Sequence, residues 1–302
     1  MTTDRLPLPR WTDSATVVEP PEPVPGSWAG APSATYADGQ IYLAYRLRHP
    51  VRLGRGFANI VAVSTDGVHF RTLCEIDRQD FGGESLERPA LVRTPDDRWR
   101  LYVSVATPGS KHWRVDLLES DDPAGLAKAT PRTVFPGDAT VGVKDPVVHY
   151  DGERWHLWAS RHPLDVVNQE DRMDTWYAQS HDGVDWTWSG AVLIPRQNRW
   201  DARGVRLTSV IPYNGGLVAT YDGRATAAEN WEERTGVARG CRSADGSYGE
   251  LVADDGDPLS SPFAPGGLRY LSIVELPDGR HRLYYEATRA DGAHELRTEL
   301  VG

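Results

Sequence analysis

Cysteine and long apolar segments are both scarce in this chain of 302 residues. Its two cysteines, Cys74 and Cys241, are too few for a disulfide framework, and neither lies in a CxxC or histidine-rich stretch typical of a zinc site. We expect both to be buried, reduced thiols. No run of 18 apolar residues occurs, and the N-terminal segment has no apolar core. Neither a membrane span nor a secretion signal is therefore predicted, and we expect a cytoplasmic protein.

Positive charge is also in short supply. The sequence has 33 Lys and Arg against 43 Asp and Glu, which gives a formal net charge of −10. Such a charge opposes non-specific attraction to nucleic acid and to anionic membranes, so neither is an expected partner. Phosphate-binding glycine loops, HExxH, EF-hand loops and the Gly-x-Ser-x-Gly elbow are absent as well. We therefore predict no cofactor and no metal.

Turn-forming and aromatic residues are abundant, with 29 Gly, 22 Pro, 11 Trp and 12 Tyr. This composition favours short strands joined by turns over long helices. Five segments share one pattern, a turn signal followed by alternating apolar and polar residues, which is typical of a hairpin entering a half-buried strand. These segments begin at Asp38, Asp97, Asp151, Asn214 and Asp278.

The five segments recur with a period of about 60 residues. A period of this length, with about four strands in each unit, is typical of a β-propeller. We predict an all-β protein, a five-bladed β-propeller that forms one domain over residues 1–302. The blades are expected at about 28–80, 81–135, 136–196, 197–260 and 261–302, with the ring closed by an N-terminal strand near 15–19. The alternative is a pair of stacked β-sandwiches, which also have regularly spaced strands.

Polar side chains recur where the blades should converge. In a propeller the innermost strand of each blade starts near the axis, and the second strand returns to the same face. Buried charges need partners, so this face is either a salt-bridged hub or a polar ligand pocket. The candidates at strand starts are Trp28, Glu87, Arg88, Lys144, Asp145, Arg206, Arg269 and Tyr270. The candidates at strand ends are Arg161, His162, Asp222, Arg224 and Glu286.

The repeat, the entry Val143-Lys144-Asp145-Pro146 and the stretch Tyr221–Thr235 resemble the five-bladed propeller glycoside hydrolases. That group takes in arabinanases, β-xylosidases, invertases and levansucrases. The resemblance implies three acids around a central funnel, opening the first, third and fourth blades. Asp145 matches the third-blade aspartate, which in those families orients the sugar and tunes the acid. The other two positions, near 28–31 and 206–209, carry no carboxylate here.

Glycoside cleavage requires two carboxyl groups that flank the scissile bond. We predict Glu87 as the partner of Asp145, with Asp222 and Glu286 as further candidate catalytic acids. The alternative for Glu87 is a structural ion pair with Arg88 or Arg161 that joins two blades. His162 is either a proton shuttle or an ordinary hydrogen-bonded loop residue.

The remaining candidates are predicted to bind substrate, and the arginines among them could bind a carboxylate or phosphate through bidentate contacts. Alternatively, they balance the acids one for one. The predicted substrate-binding residues are Trp28, Arg88, Lys144, Arg161, His162, Arg206, Arg224, Arg269 and Tyr270. Loops at 165–174 and 225–234 are expected to fold over the mouth of the funnel.

Three functions remain open at this point. The first is an enzyme that hydrolyses a small glycoside or sugar conjugate in the funnel, with Asp145 and Glu87 at its centre. The second is a non-hydrolytic propeller, either a binding protein for a sugar or small molecule or a natural-product tailoring protein, because two family acids are missing. The third is a protein-interaction propeller, which predicts a broad apolar patch on one face.

Overall fold

The computed structural model describes residues 6–213 and 215–302, so Asn214, which opens the fourth repeat, lies outside the described residues. The described chain contains twenty β-strands and a few short 3-10 helices, at Val51–Leu53, Arg78–Phe81, Pro123–Lys128 and Ala227–Glu229. The strands form five antiparallel units of four. The prediction of an all-β, five-bladed β-propeller is confirmed.

In the first four blades, the strands follow one another in chain order from the axis outward. The first blade contains β2 (Trp28–Ala37), β3 (Gln40–Arg48), β4 (Gly56–Ser64) and β5 (Arg71–Asp77). The second contains β6 (Ser85–Arg93), β7 (Trp99–Ala106), β8 (Trp113–Ser120) and β9 (Arg132–Phe135). The third contains β10 (Val141–Tyr150), β11 (Trp155–Pro163), β12 (Asp174–Ser180) and β13 (Thr187–Leu193). The fourth contains β14 (Gly204–Tyr213), β15 (Gly216–Arg224), β16 (Arg234–Cys241) and β17 (Val252–Ala253).

The fifth blade draws strands from both ends of the chain. It contains β18 (Leu268–Glu275), β19 (His281–Thr288), β20 (His294–Val301) and, as its outermost strand, β1 (Ala15–Val18). The strand β1 pairs antiparallel with β20, with Ala15 opposite Thr298. A single parallel bridge between Trp28 and His294 also joins β20 to the first blade. The outer edge of β20 is therefore covered by a segment almost 300 residues earlier in the sequence.

Each innermost strand carries a β-bulge at the same place, which is where it passes the axis. A bulge inserts an extra residue, bends the strand and turns a side chain away from the regular alternation. Ala31, Asp145 and Tyr270 adopt positive φ angles of 52°, 56° and 54° at this point. Proline follows in three of the five strands, consistent with a position where the ladder needs no N–H donor. The bulges therefore interrupt the regular alternation at one corresponding place in every blade.

Apolar side chains fill the space between neighbouring blades. Leu91 and Leu101 of the second blade pack with Val61 of the first, and Trp158 of the third packs with Tyr221 of the fourth. Burying each such side chain contributes about 1.5 to 3 kcal/mol. The blades are thus held together by apolar contacts at their faces.

The two cysteines differ in environment. Cys74 is buried in β5, whereas Cys241 is exposed at the end of β16. The expectation that both are buried is therefore wrong for Cys241, because it is the last residue of its strand and has left the blade interface. No helix in the described part of the chain is long and apolar enough to cross a membrane.

Candidate functional site

A pocket of about 510 Å³ opens on the axis, at the face where the innermost strands begin. Its walls come from the loops between the second and third strands of the first four blades. Arg55 and Lys111 line it from the first two of these loops, and Asn168 and Trp231 from the other two. The loops at 165–174 and 225–234 thus border the mouth, as their sequence suggested. A volume of this order suits a small-molecule ligand.

The pocket is cationic although the chain as a whole is acidic. Eight basic residues border it, against four carboxylates. The basic residues are Arg48, Arg55, Lys111, Lys144, Arg203, Arg206, Arg224 and Arg269. The carboxylates are Glu87, Glu170, Asp171 and Glu233. Because low-dielectric walls strengthen the field of charges that surround a cleft, this pocket attracts anions.

Glu87 borders the pocket with only 4% of its surface exposed. The second blade begins with β6, which carries Glu87 to the axis. Arg46 bonds one of its carboxylate oxygens, and the Nη1 atom of Arg48 lies 3.3 Å from the other. Both arginines come from β3 of the first blade. Glu87 therefore joins two blades, but its partners are Arg46 and Arg48 instead of the expected Arg88 or Arg161.

Glu233 is a second buried carboxylate that borders the pocket. It precedes β16 and forms ion pairs with Arg224 and with Arg269, whose Nε lies 2.8 Å from its Oε2. Burial opposes its ionisation, but Arg269 and Arg224 lower the pKa of Glu233 to about 2. Sequence reasoning missed this residue because it considered only first-strand starts and second-strand ends. Third strands also start at the pocket face, and that signal would have found it.

Asp145 lies at the axis but does not border the pocket. Its side chain is completely buried, and its Oδ2 lies 3.3 Å from both Lys144 Nζ and Arg206 Nη1. Its backbone N–H donates a hydrogen bond to Ser104 Oγ. Burial favours the neutral form, yet Lys144 and Arg206 hold the pKa of Asp145 below its usual range. Asp145 thus fixes two cations that do border the pocket.

Asp222 and Glu286 are likewise completely buried and set back from the pocket. Asp222 accepts hydrogen bonds from Arg206, at 2.6 Å, and from the backbone N–H of Tyr270. Burial raises the pKa of Asp222 to about 6, although Arg206 opposes this effect. Glu286 accepts from Arg46 at 2.7 Å and from Arg269 at 3.0 Å. Together with Asp145, these two residues are called the axial carboxylates below, and Glu87 and Glu233 are called the pocket carboxylates.

Two predicted substrate-binding residues lie outside the pocket lining. Arg88 reaches across the axis and donates to the backbone carbonyls of Thr208 and Pro32, which joins three blades. Arg161 stacks on Trp176, with its guanidinium 3.6 Å from the ring centre, and lines a separate pocket of about 220 Å³. The other seven border the central pocket, namely Trp28, Lys144, His162, Arg206, Arg224, Arg269 and Tyr270.

Lys144 and His162 give the pocket a proton donor and an acceptor. Burial lowers the pKa of Lys144 to about 8, against the pull of Asp145. Burial and the charge of Lys144 lower the pKa of His162 to about 3, so its ring is neutral near pH 7. The His162 Nδ1 lies 2.7 Å from the backbone carbonyl oxygen of Glu170, which can only accept. We therefore assign the proton to Nδ1. The other ring nitrogen, Nε2, has no hydrogen-bond partner in the described part of the chain and is left as an acceptor for a hydroxyl.

Aromatic rings border the same space. Trp28 and Trp113 are nearly buried, and Trp231 is 40% exposed at the mouth. The hydroxyl of Tyr270 is buried and has no hydrogen-bond partner among the residues that the structure describes. Within residues 6–213 and 215–302, no group of three His, Cys, Asp or Glu side chains is arranged to hold a metal ion.

Comparison with known proteins shows what this architecture is similar to. No protein-family model matches the sequence, and no curated protein matches it. The fold, by contrast, matches solved structures of glycoside hydrolases. The GH43_1 enzyme from Xanthomonas citri complexed with xylose superposes with a TM-score of 0.69 at 15% identity, over 96% of this chain and 90% of that chain. A thermostable family-43 glycoside hydrolase gives 0.68 at 15% identity, over 90% of this chain and 88% of that chain.

A β-1,2-mannobiose phosphorylase from Listeria innocua, in complex with β-1,2-mannobiose, is similar to the same degree. It superposes with a TM-score of 0.66 at 14% identity, over 94% of this chain and 93% of that chain. At these identities the likeness concerns the fold. The resemblance to the propeller glycoside hydrolases is confirmed at that level.

Proposed function

We propose that the protein is a carbohydrate-active enzyme that hydrolyses the glycosidic bond of a small glycoside or sugar conjugate in the central pocket. The observation that carries this proposal is the meeting of two buried carboxylates, Glu87 and Glu233, in one pocket with aromatic walls. Two such groups are what glycoside cleavage requires. The similarity of the fold to glycoside hydrolases supports the same reaction class.

The charges of the groups that border the pocket suggest which catalytic role each group has. Glu87 and Glu233 each pair with two guanidinium groups, which favours their ionised form. Ionised carboxylates suit activation of water and stabilisation of positive charge at the anomeric carbon. The Lys144 ammonium, with its pKa near 8, is the pocket group suited to give a proton to the leaving oxygen.

In this scheme the bond from the anomeric carbon to the leaving oxygen breaks while Lys144 donates its proton to that oxygen. Water forms the new bond to carbon and loses its proton to Glu87 or Glu233. Asp145 acts as a positioning residue, because it holds Lys144 and Arg206 from behind. Asp222 holds Arg206 from a second side, and Glu286 holds Arg269 in the same way.

A panel of aryl glycosides and disaccharides, with neutral and acidic sugars, tests the proposal by released aglycone or new reducing ends. Glu87→Gln and Glu233→Gln should each lower kcat at least a hundredfold while circular dichroism stays unchanged. Glu119→Gln is the matched control, because Glu119 pairs with Arg98 and Arg100 at the opposite end of the second blade. Wild-type rates in both pocket variants would overturn the assignment.

A non-hydrolytic binding protein is the second candidate. It is favoured by the pairing of both pocket carboxylates with arginines, which keeps either one from serving as a protonated acid. Binding of a sugar by calorimetry, with no turnover of any glycoside in the panel, would support this function in place of hydrolysis.

A further inference from the structure

The excess of cations around the pocket remains unexplained by hydrolysis of a neutral glycoside. We propose that the ligand is a saccharide carrying an oxyanion, either the carboxylate of a sugar acid or a phosphate, and that Arg48 is the residue that binds this group. This inference deepens the proposed function, and it rests on that function only for the sugar part of the ligand.

Arg48 has the donor arrangement and the burial of a site that binds an oxyanion. Its side chain is 2% exposed, at the end of β3, and it borders the pocket. Its Nη1 points to Glu87 at 3.3 Å. Its Nε and Nη2, which form the other edge of the guanidinium plane, have no hydrogen-bond partner among residues 6–213 and 215–302. Two parallel donors on one edge match the two oxygens of a carboxylate or phosphate. Buried donors left unpaired are costly, so a ligand that pairs them gains affinity.

The surroundings of Arg48 favour negative charge. Its guanidinium stacks on Trp28, 4.0 Å from the ring centre, and lies 5.1 Å from that of Trp231. Burial comes first in lowering the pKa of Arg48 to about 8, followed by repulsion from Arg46 and other nearby arginines. A bound anion would relieve this repulsion. Trp231 at the mouth offers an apolar face for a sugar ring beside the anion site.

A second cation at the mouth is free to contribute. Lys111 is exposed in the loop between β7 and β8, and within the described part of the chain it forms no ion pair. The other basic residues of the pocket are all partly neutralised, Arg55 by Glu84, Arg203 by Asp171 and the rest by the pocket and axial carboxylates. Lys111 therefore adds long-range attraction, while Arg48 supplies the directional contact.

Isothermal titration calorimetry tests the proposal with four probes, namely glucuronic acid, glucose 6-phosphate, inorganic phosphate and glucose. We expect at least one anionic sugar to bind at least tenfold more tightly than glucose, with affinity that falls as salt rises. The first two probes separate a carboxylate from a phosphate source. Equal affinity for glucose and both anionic sugars, or binding of inorganic phosphate alone, would overturn the inference.

Substitutions of Arg48 test whether this residue makes the contact with the anion. Arg48→Gln should weaken binding of the preferred anionic sugar about tenfold or more, because it removes a charge-assisted bidentate contact. Arg48→Lys should restore only part of the affinity, because an ammonium group lacks the two-donor edge. Full affinity in Arg48→Gln would show that Arg48 is not the anion site.

Because Arg48 is buried, its variants are informative only if they fold. Substitution of two surface lysines gives a test that does not depend on the folding of the Arg48 variants. Lys111→Gln should weaken binding about twofold, as expected for an exposed charge. Lys128→Gln is the matched control, since Lys128 is exposed in the 3-10 helix that follows β8, at the opposite end of the blade. An equal effect of the two substitutions would contradict a pocket-specific anion site.

The proposal of a hydrolase and the proposal of an anion site can be overturned independently of each other. Binding of an anionic sugar without turnover would leave this inference standing and would overturn the hydrolase. Turnover of neutral glycosides with no preference for acidic ones would do the reverse.

Discussion

The axial and pocket carboxylates have the same chemical groups and the same kind of partner, but they lie at different depths along the axis. Both sets are buried and paired with arginines. The axial set, Asp145, Asp222 and Glu286, has no exposed surface and no contact with the pocket, whereas Glu87 and Glu233 border it. Arg206 joins Asp145 of the third blade to Asp222 of the fourth, and Arg46 connects the first blade with the second and fifth. Depth along the axis, more than residue type, therefore distinguishes the structural carboxylates from those of the candidate site.

The largest expected effect comes from removing one of the axial carboxylates. Glu286→Gln leaves Arg46, Arg269 and His294 without their shared carboxylate in a fully buried place. Removing one partner of a buried ion pair typically costs about 3 to 5 kcal/mol. The free energy of unfolding, from urea titration, should fall by about that amount.

Glu87→Gln should cost less, because Arg46 keeps its ion pair with Glu286 and Arg48 borders the pocket, where water can hydrate it. Equal losses of unfolding free energy in the two variants would remove the distinction between axial and pocket carboxylates.

The next effect concerns acid stability. The folded pKa of His162, about 3, lies below its unfolded value of about 6.5. Its contribution to stability is therefore present above pH 6.5 and is lost as the pH falls toward 3. Between pH 6.5 and 4.5 the loss should reach up to about 2 kcal/mol. His162→Gln should flatten this part of the pH profile of the unfolding free energy, and an unchanged slope would contradict the assignment of a neutral buried ring.

The smallest effect concerns the charge of Lys144, one of the cations that border the pocket. Lys144 loses its charge as the pH rises through about 8. Affinity for an anionic sugar should consequently fall at least about fivefold between pH 7 and pH 9.5, since Lys144 and Arg48, whose pKa is also about 8, both lose charge in this range. Lys144→Arg, which stays charged, should reduce this fall in calorimetric titrations without abolishing it. A fall of the same size in Lys144→Arg would assign the pH dependence to another group.

The fold could be predicted because the repeat consists of turn signals followed by alternating apolar and polar residues, which are local properties of the sequence. Seven of nine predicted binding residues border the pocket because strand ends locate the axis face. Arg161 was misplaced since it precedes His162 in a strand, where consecutive side chains point to opposite faces. Arg48 was missed although it is the last residue of β3, a second strand, and the ends of second strands were searched for candidates.

Pairing could not be predicted in the same way. Arg46 and Glu87 are 41 residues apart, and Arg46 and Glu286 are 240 apart. Which acids border the pocket and which are set back from it depends on the depth of each side chain along the axis. That depth is set by packing between blades and leaves no mark in the local pattern.

The most direct test of the anion site at Arg48 is a crystal structure of the protein soaked with the anionic sugar that binds best. The carboxylate or phosphate should lie against the Nε and Nη2 edge of Arg48, with the sugar ring between Trp231 and the pocket carboxylates. Density for the anion at Arg161 and Trp176, or at any site away from the central pocket, would contradict it.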